Sequence, residues 1–294
     1  MKRDDQTGLA LGGNKTRKLE YLLADALNRH CDTLVTAGAE QSNHCRQTAA
    51  AAAAYGLQCH LVLGGSAPEH ATGNYLLDQL FGAHFHWAGH HRKGETIPEI
   101  VKDLRKSGRH PYVIPYGGSN EIGASGFVEA TSEVTRQFRT LNLAMTHIVF
   151  ASSSGGTHAG MTVGKQWVNA DFNIVGIDID KDESSDSPFE ERIAHLSNAT
   201  ARYWGMDATF TQADVTLQRD YLGNGYGVVG NLERRAIALT AQTEGILLDP
   251  VYTGRAMGAL IDMIKQGQFT TKDTVLFWHT GGTPGLFAYT KGVL

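Results

Sequence analysis

Cysteine is scarce in this chain: three in 294 residues, Cys31, Cys45 and Cys59. An odd count with no close pair excludes a disulfide framework, and such cysteines default to small buried apolar side chains. Two of them adjoin histidines, in Asn43-His44-Cys45 and Cys59-His60, but neither pair has zinc-ligand spacing, so no metal is expected. Long hydrophobic runs are also missing. Nothing approaches the ~20 apolar residues that span a bilayer, and Met1-Lys2-Arg3-Asp4-Asp5 is too charged for a signal peptide, so a cytoplasmic chain with no membrane role is expected. Positive charge is not in excess either: 26 basic against 30 acidic residues leave a net charge of -4, which argues against nucleic acid as a partner.

What is present is an ordinary globular composition, 41% hydrophobic, at a length that accommodates two domains by the rule of ~150 residues each. Strand and helix patterns alternate along it. Strands are predicted at 32–37, 60–63, 84–87, 112–114, 147–150, 174–179, 246–248 and 274–278, and helices at 46–55, 73–81, 98–107, 189–203, 233–244 and 256–265. The polar run Asp180 to Asp186 reads as a solvated loop. Such alternation predicts an α/β protein of two doubly wound, open, twisted parallel sheets, with ligands at the carboxyl ends of the strands.

The stretch that organises the chain is Gly12-Gly13-Asn14-Lys15-Thr16-Arg17-Lys18-Leu19-Glu20. Two glycines permit a tight turn, Asn14 is expected to cap the following helix, and Leu19, Leu22, Leu23, Ala26 and Leu27 give that helix an apolar face. Lys15 therefore projects from a fixed platform. A lysine so held suits gripping a phosphate or forming a Schiff base with a carbonyl, although alone it would be no more than an exposed helix-start lysine. Four strand-to-helix loops are rich in Gly, Ser, Thr and Asn. Ser152 to Thr157, between an apolar strand and a helix that starts small, can turn several amides inward as a dianion cradle. Gln41-Ser42-Asn43 opens another helix, where the amides could receive a carboxylate and Ser42 could offer a hydroxyl. Thr280 ends the last apolar strand. Tyr226 and Tyr252 have glycine or proline neighbours that could aim a phenol into a cleft, or could pack in the core.

Taken together, these segments resemble a family. Lys2-Arg3-Asp4-Asp5, Gly12 to Glu20, Gln41-Ser42-Asn43-His44 with Arg46-Gln47-Thr48-Ala49-Ala50, Gly155 to Gly160, Leu248-Asp249-Pro250-Val251-Tyr252-Thr253-Gly254 and His279-Thr280-Gly281-Gly282 follow the order seen in pyridoxal-phosphate-dependent D-cysteine desulfhydrases and 1-aminocyclopropane-1-carboxylate deaminases. That resemblance implies the tryptophan-synthase-β-like fold, fold type II, with residues 1–29 and 126–294 as a large cofactor domain and 30–125 as a small one. It implies pyridoxal 5'-phosphate held by Lys15 as a Schiff base. Asn43 would bond the ring oxygen, Ser154, Gly155, Gly156 and Thr157 the phosphate, and Thr280 would face the ring nitrogen. Asn14, Gln41, Ser42 and Asn43 would bind an amino-acid substrate, with Lys15, Ser42, Tyr226 and Tyr252 as catalytic groups, in a homodimer. The deaminases carry a glutamate after the late tyrosine, where this chain has Thr253. A neutral partner for the ring nitrogen weakens the ring as an electron sink and favours β-elimination, from D-cysteine to pyruvate, ammonia and sulfide, over ring opening. Cyclopropane deamination, elimination from L-cysteate and an inactive cofactor-binding relative are the alternatives. The resemblance also implies a segment with an edge strand ahead of Lys2-Arg3-Asp4-Asp5, which this chain, starting at Met1, is expected to lack.

Overall fold

The computed structural model describes residues 1–180 and 187–293, so most of the run expected as a solvated loop, 181–186, lies outside the described residues. In chain order the elements are β1 (Lys2–Arg3), α1 (Lys15–Asn28), β2 (Thr33–Gly38), α2 (Asn43–Ala54), β3 (Gln58–Leu63), α3 (Gly73–Leu80), β4 (His84–Trp87), α4 (Ile97–Lys106), β5 (Pro111–Val113) and α5 (Glu121–Thr140). They continue with β6 (His147–Ser152), α6 (Gly156–Trp167), β7 (Asn173–Asp178), α7 (Phe189–Tyr203), β8 (Thr216–Gln218), α8 (Asn231–Glu244), α9 (Thr253–Lys265) and β9 (Val275–His279). Two wholly parallel sheets result, in the orders β1-β9-β6-β7-β8 and β4-β3-β2-β5. Helices cover both, which is why β2 and β6 read as nearly continuous apolar runs.

Two expectations need correction. Ile246-Leu247-Leu248 is not a strand: His279 on β9 bonds the Leu247 carbonyl through its side chain (3.0 Å), while both edges of β9 are already occupied by β1 and β6. On the other side of β9, Lys2 and Arg3 pair with Trp278 and His279. Asn14 does not cap α1; its Nδ2 donates instead to Thr157 Oγ1 (3.1 Å).

Gly123, Gly126 and several Ser and Thr lower the intrinsic helix propensity of the twenty-residue α5. Those glycines are contact points. A methyl group on Gly126 would lie 2.1 Å from the Arg17 carbonyl oxygen, and one on Gly160 of α6 would lie 2.3 Å from that of Ala124. α1 and α6 both pack on α5, and their starts meet where Asn14 bonds Thr157. Across the same seam, the Gly12-Gly13 loop meets Gly281, whose absent Cβ would fall 2.6 Å from Gly13 Cα.

On the outer face of the small sheet, His60 stacks on His84 (4.7 Å between centroids), and its Nδ1 shares a hydrogen bond with His86 Nε2 (2.9 Å). Burial first, then the neighbouring imidazoles, holds His60 down to about 4, and burial with His84 lowers His86. A histidine depressed below its unfolded pKa near 6.5 stabilises the fold fully above that pH, and the contribution drains away as pH falls toward 4. Stability should therefore drop between about pH 6.5 and 4, and His60→Gln should flatten that slope in urea melts taken across the window.

Candidate active site

A cavity opens where the carboxyl ends of β2 and β6 converge. Lys15 lines it from the start of α1, Ser42 and Asn43 from the start of α2, Ser154, Gly155 and Thr157 from the loop into α6, and Thr280 from the end of β9. Asn14 and Tyr252 complete the wall.

The Lys15 amine makes no hydrogen bond or ion pair among the described residues, and burial lowers its pKa to about 8. Its backbone is held firmly. The Gly12 carbonyl accepts from both Arg46 Nη2 and Gln47 Nε2 (2.8 Å), Gly13 N–H donates to Asp4 O (2.7 Å), and Asn14 N–H to Thr280 O (2.9 Å). Gly13 sits at φ 135°, where a methyl group would strike Gln47 Nε2.

Asn43 has its Oδ1 committed to Asn74 Nδ2 (2.9 Å) and Arg46 Nη1 (3.3 Å), which leaves its Nδ2 to donate toward the cavity. Ser42 Oγ accepts from Cys45 N–H (3.2 Å) as the cap of α2 and keeps its own proton available. Gln41 stands apart: its side chain bonds Thr72 O, Glu40 Oε1 and Asn74 N and is outside the cavity wall. Gly156 is also set back, its N–H directed to Ser119 Oγ (3.2 Å). Tyr226 reaches the cavity only through Tyr252, the two phenol oxygens being 2.6 Å apart. Thr253 faces away, its Oγ1 donating to Asp249 Oδ1 (2.7 Å).

Lys18, Ser119 and His44 belong to the site although sequence pattern does not single them out for it. Lys18, one turn after Lys15, is 1% exposed; its Nζ donates to Gly117 O (2.9 Å) and Ser119 Oγ (3.3 Å), both neutral. Burial, with the charge of Lys15 adding to it, holds Lys18 well below the usual lysine range. Ser119 Oγ in turn donates to Ser154 Oγ (2.8 Å), so the lysine, the serine pair and the first turn of α6 form one cup. His44 has a defined tautomer. Thr36 Oγ1 gives its only proton to Ile114 O (2.8 Å), so it accepts from His44 Nε2 (2.8 Å), and the buried Nδ1 is left as a bare acceptor.

These donors fit an aldehyde-bearing ring with a phosphate tail. Two buried amines lie close together with no carboxylate bonded to either, a state that desolvation makes unfavourable until an anion arrives. The cup for that anion needs its glycines: a methyl group on Gly156 would lie 2.7 Å from Lys18 Nζ, and one on Gly117 would lie 2.2 Å from Ser154 Oγ. Amides at a helix start and a buried cation bind a phosphate dianion, while the Lys15 amine stands ready for a carbonyl carbon and Asn43 Nδ2 for a ring oxygen.

Comparison with known proteins agrees with this chemistry. Residues 1–281 match the model of the family described as pyridoxal-phosphate dependent enzyme. The chain is 44% identical, over 98% of its length and 88% of the relative's, to D-cysteine desulfhydrase of Klebsiella pneumoniae (strain 342). It is 44% identical over the same shares to the protein of that name in Yersinia enterocolitica. Among solved structures, one named as an ACC deaminase homologue superposes with a TM-score of 0.90 at 38% identity, covering 99% of this chain and 86% of that one.

Proposed function

The chain belongs to the pyridoxal-phosphate dependent enzymes, and from that premise we propose that it is a carbon–sulfur lyase that converts D-cysteine to pyruvate, ammonia and sulfide. The observation that carries the reading is a partnerless Lys15 amine in a cavity shared with a phosphate cup and closed by the neutral hydroxyl of Thr280. Names borne by relatives at 44% identity support the same substrate.

When bound, pyridoxal phosphate supplies an aldehyde carbon for an amine and a conjugated ring that takes up the electron pair left at Cα. The chain's own residues do the rest. Lys18, Ser154, Gly155 and Thr157 would hold the phosphate, Asn43 Nδ2 would orient the ring, and the Lys15 amine would be the group placed for the aldehyde carbon. The same amine takes the Cα proton; a pKa near 8 keeps a useful fraction of it neutral at physiological pH. Ser42, together with the amides that open α2, positions the substrate carboxylate. Tyr252, backed by Tyr226, supplies a proton on the leaving-group side as the C–S bond breaks with its electron pair on sulfur.

Only the neutral amine attacks a carbonyl, so reconstitution of apoprotein with pyridoxal phosphate should accelerate as pH rises toward 8 and level off above it, read by absorbance in a stopped-flow mixer. A substrate panel tests the activity: sulfide and pyruvate from D-cysteine support the lyase, whereas 2-ketobutyrate from 1-aminocyclopropane-1-carboxylate favours the second reading, for which the ACC deaminase homologue is the structural argument. Bound cofactor without turnover of either would sink both.

The resemblance further supports a cytoplasmic homodimer; no helix among the described residues is long and apolar enough to cross a membrane. It supports a small domain of residues 30–125 around the four-stranded sheet and a large domain of 1–29 with 126–294 around the five-stranded one, α5 running through the junction.

A further inference from the structure

Arg92 lies in the loop between β4 and α4, on the small-sheet side of the molecule, yet its guanidinium is committed to the other side. Its carbon sits 4.5 Å from the centroid of the Tyr226 ring, Nη1 donates to the Tyr116 hydroxyl (3.3 Å), and Nη2 pairs with Asp180 just beyond β7. The seat is shaped for it: a methyl group on Gly64, at the end of β3, would lie 2.6 Å from Arg92 Cβ. Tyr226 bonds Tyr252, which lines the cavity; Tyr116 lines it as well.

Two protonated phenols 2.6 Å apart can bond in only one direction at a time, and the direction decides what the cavity sees. If Tyr252 donates to Tyr226, its proton is turned away from the substrate. If Tyr226 donates, Tyr252 keeps its proton for the cavity. A cation against the ring face of Tyr226 draws charge from that ring and strengthens its O–H as a donor, which selects the second arrangement.

We propose that Arg92 is a positioning residue for the tyrosine pair: anchored by Asp180 and stacked on Tyr226, it directs the Tyr226 phenol to donate to Tyr252, so that Tyr252 presents its proton to the leaving group. The proposal rests on the lyase reading above and adds to it a contact between the two halves of the molecule.

The test uses holoenzyme carrying Arg92→Gln, Tyr226→Phe or both, assayed by sulfide release from D-cysteine. Arg92→Gln should lower kcat by about 10- to 100-fold with KM within about threefold. In the Tyr226→Phe background it should cost less than about twofold more, because its route is already cut. Arg92→Lys, which keeps the charge but loses the planar face, should recover only part of the rate. An unchanged kcat in Arg92→Gln, or a fully multiplicative loss in the double variant, overturns the proposal. Should Arg92→Gln fail to fold, Asp180→Asn, which frees the guanidinium from its anchor, should show the same kcat-selective loss. A parent enzyme inert toward D-cysteine defeats the lyase reading alone. The bond direction is then read in the resting protein from the 13Cζ resonances of labelled tyrosine, and Arg92→Gln must move those of both Tyr226 and Tyr252; unmoved resonances overturn the proposal.

Discussion

Lys15→Ala is expected to lose covalent attachment of the cofactor and to slow D-cysteine turnover by about 10⁴-fold or more, the combined effect of removing a nucleophilic anchor and a general base. Under the proposed assignment the residue supplies both roles with one atom. Before substrate arrives, the amine needs a carbonyl carbon within reach, and the cavity it shares with Ser154 and Thr157 provides the space. Afterwards it must be a base near neutrality, and burial without a carboxylate partner is what lowers it to about 8. A bonded aspartate at this position would have raised the pKa and removed the base. Borohydride treatment followed by peptide mass mapping checks the attachment: the parent should retain the pyridoxyl group on Lys15, and the variant should carry none. If the variant still holds the group covalently, Lys18 becomes the anchoring amine and the assignment of roles is wrong.

Much of this arrangement is legible in the amino acid string because its parts are short and local. Gly12-Gly13-Asn14-Lys15, the loop from Ser152 to Thr157 and the run His279-Thr280-Gly281-Gly282 each carry turn residues beside polar ones, and each lies at the end of a sheet or the start of a helix. The cavity unites them. What stays hidden depends on packing between distant elements. Lys18 looks like any helix-surface lysine, since nothing within its own helix says that Gly117, Ser119 and Gly156 will close over it. Gln41 looks like a cavity residue because it adjoins Ser42, yet α3 claims its side chain through Asn74. Asn14 looks like a helix cap, and the approach of α6 gives its amide a better partner in Thr157. Ile246 to Leu248 has the composition of a strand but lies beside β9, whose two edges are already taken by β1 and β6. Conversely, the glycines that lower the helix propensity of α5 are where α1 touches it, while α6 approaches it through its own Gly160 and Gly164.

Lys18→Met is expected to act in opposite senses on the two states of the protein. In the apoprotein the Lys18 amine is buried beside a second amine, bonded only to a carbonyl and a hydroxyl, and burial drives it far from its ordinary protonation. Methionine has similar length, fills the same space and removes the desolvation penalty, so the apoprotein should keep its stability or gain about 1 kcal/mol despite the two lost hydrogen bonds. With cofactor bound the balance reverses. A phosphate dianion in the cup would face Ser154, Gly155 and the first turn of α6 without its cation, losing a charge-assisted bond worth about 2–3 kcal/mol. Cofactor affinity should therefore fall by roughly 30- to 150-fold, and the stabilisation that cofactor confers on the melting temperature should shrink with it. Urea unfolding of the apoprotein and a cofactor titration followed by absorbance separate the two effects. A variant whose apoprotein is several kcal/mol less stable would mean that Lys18 holds the fold together; one with full cofactor affinity would mean that the phosphate sits elsewhere.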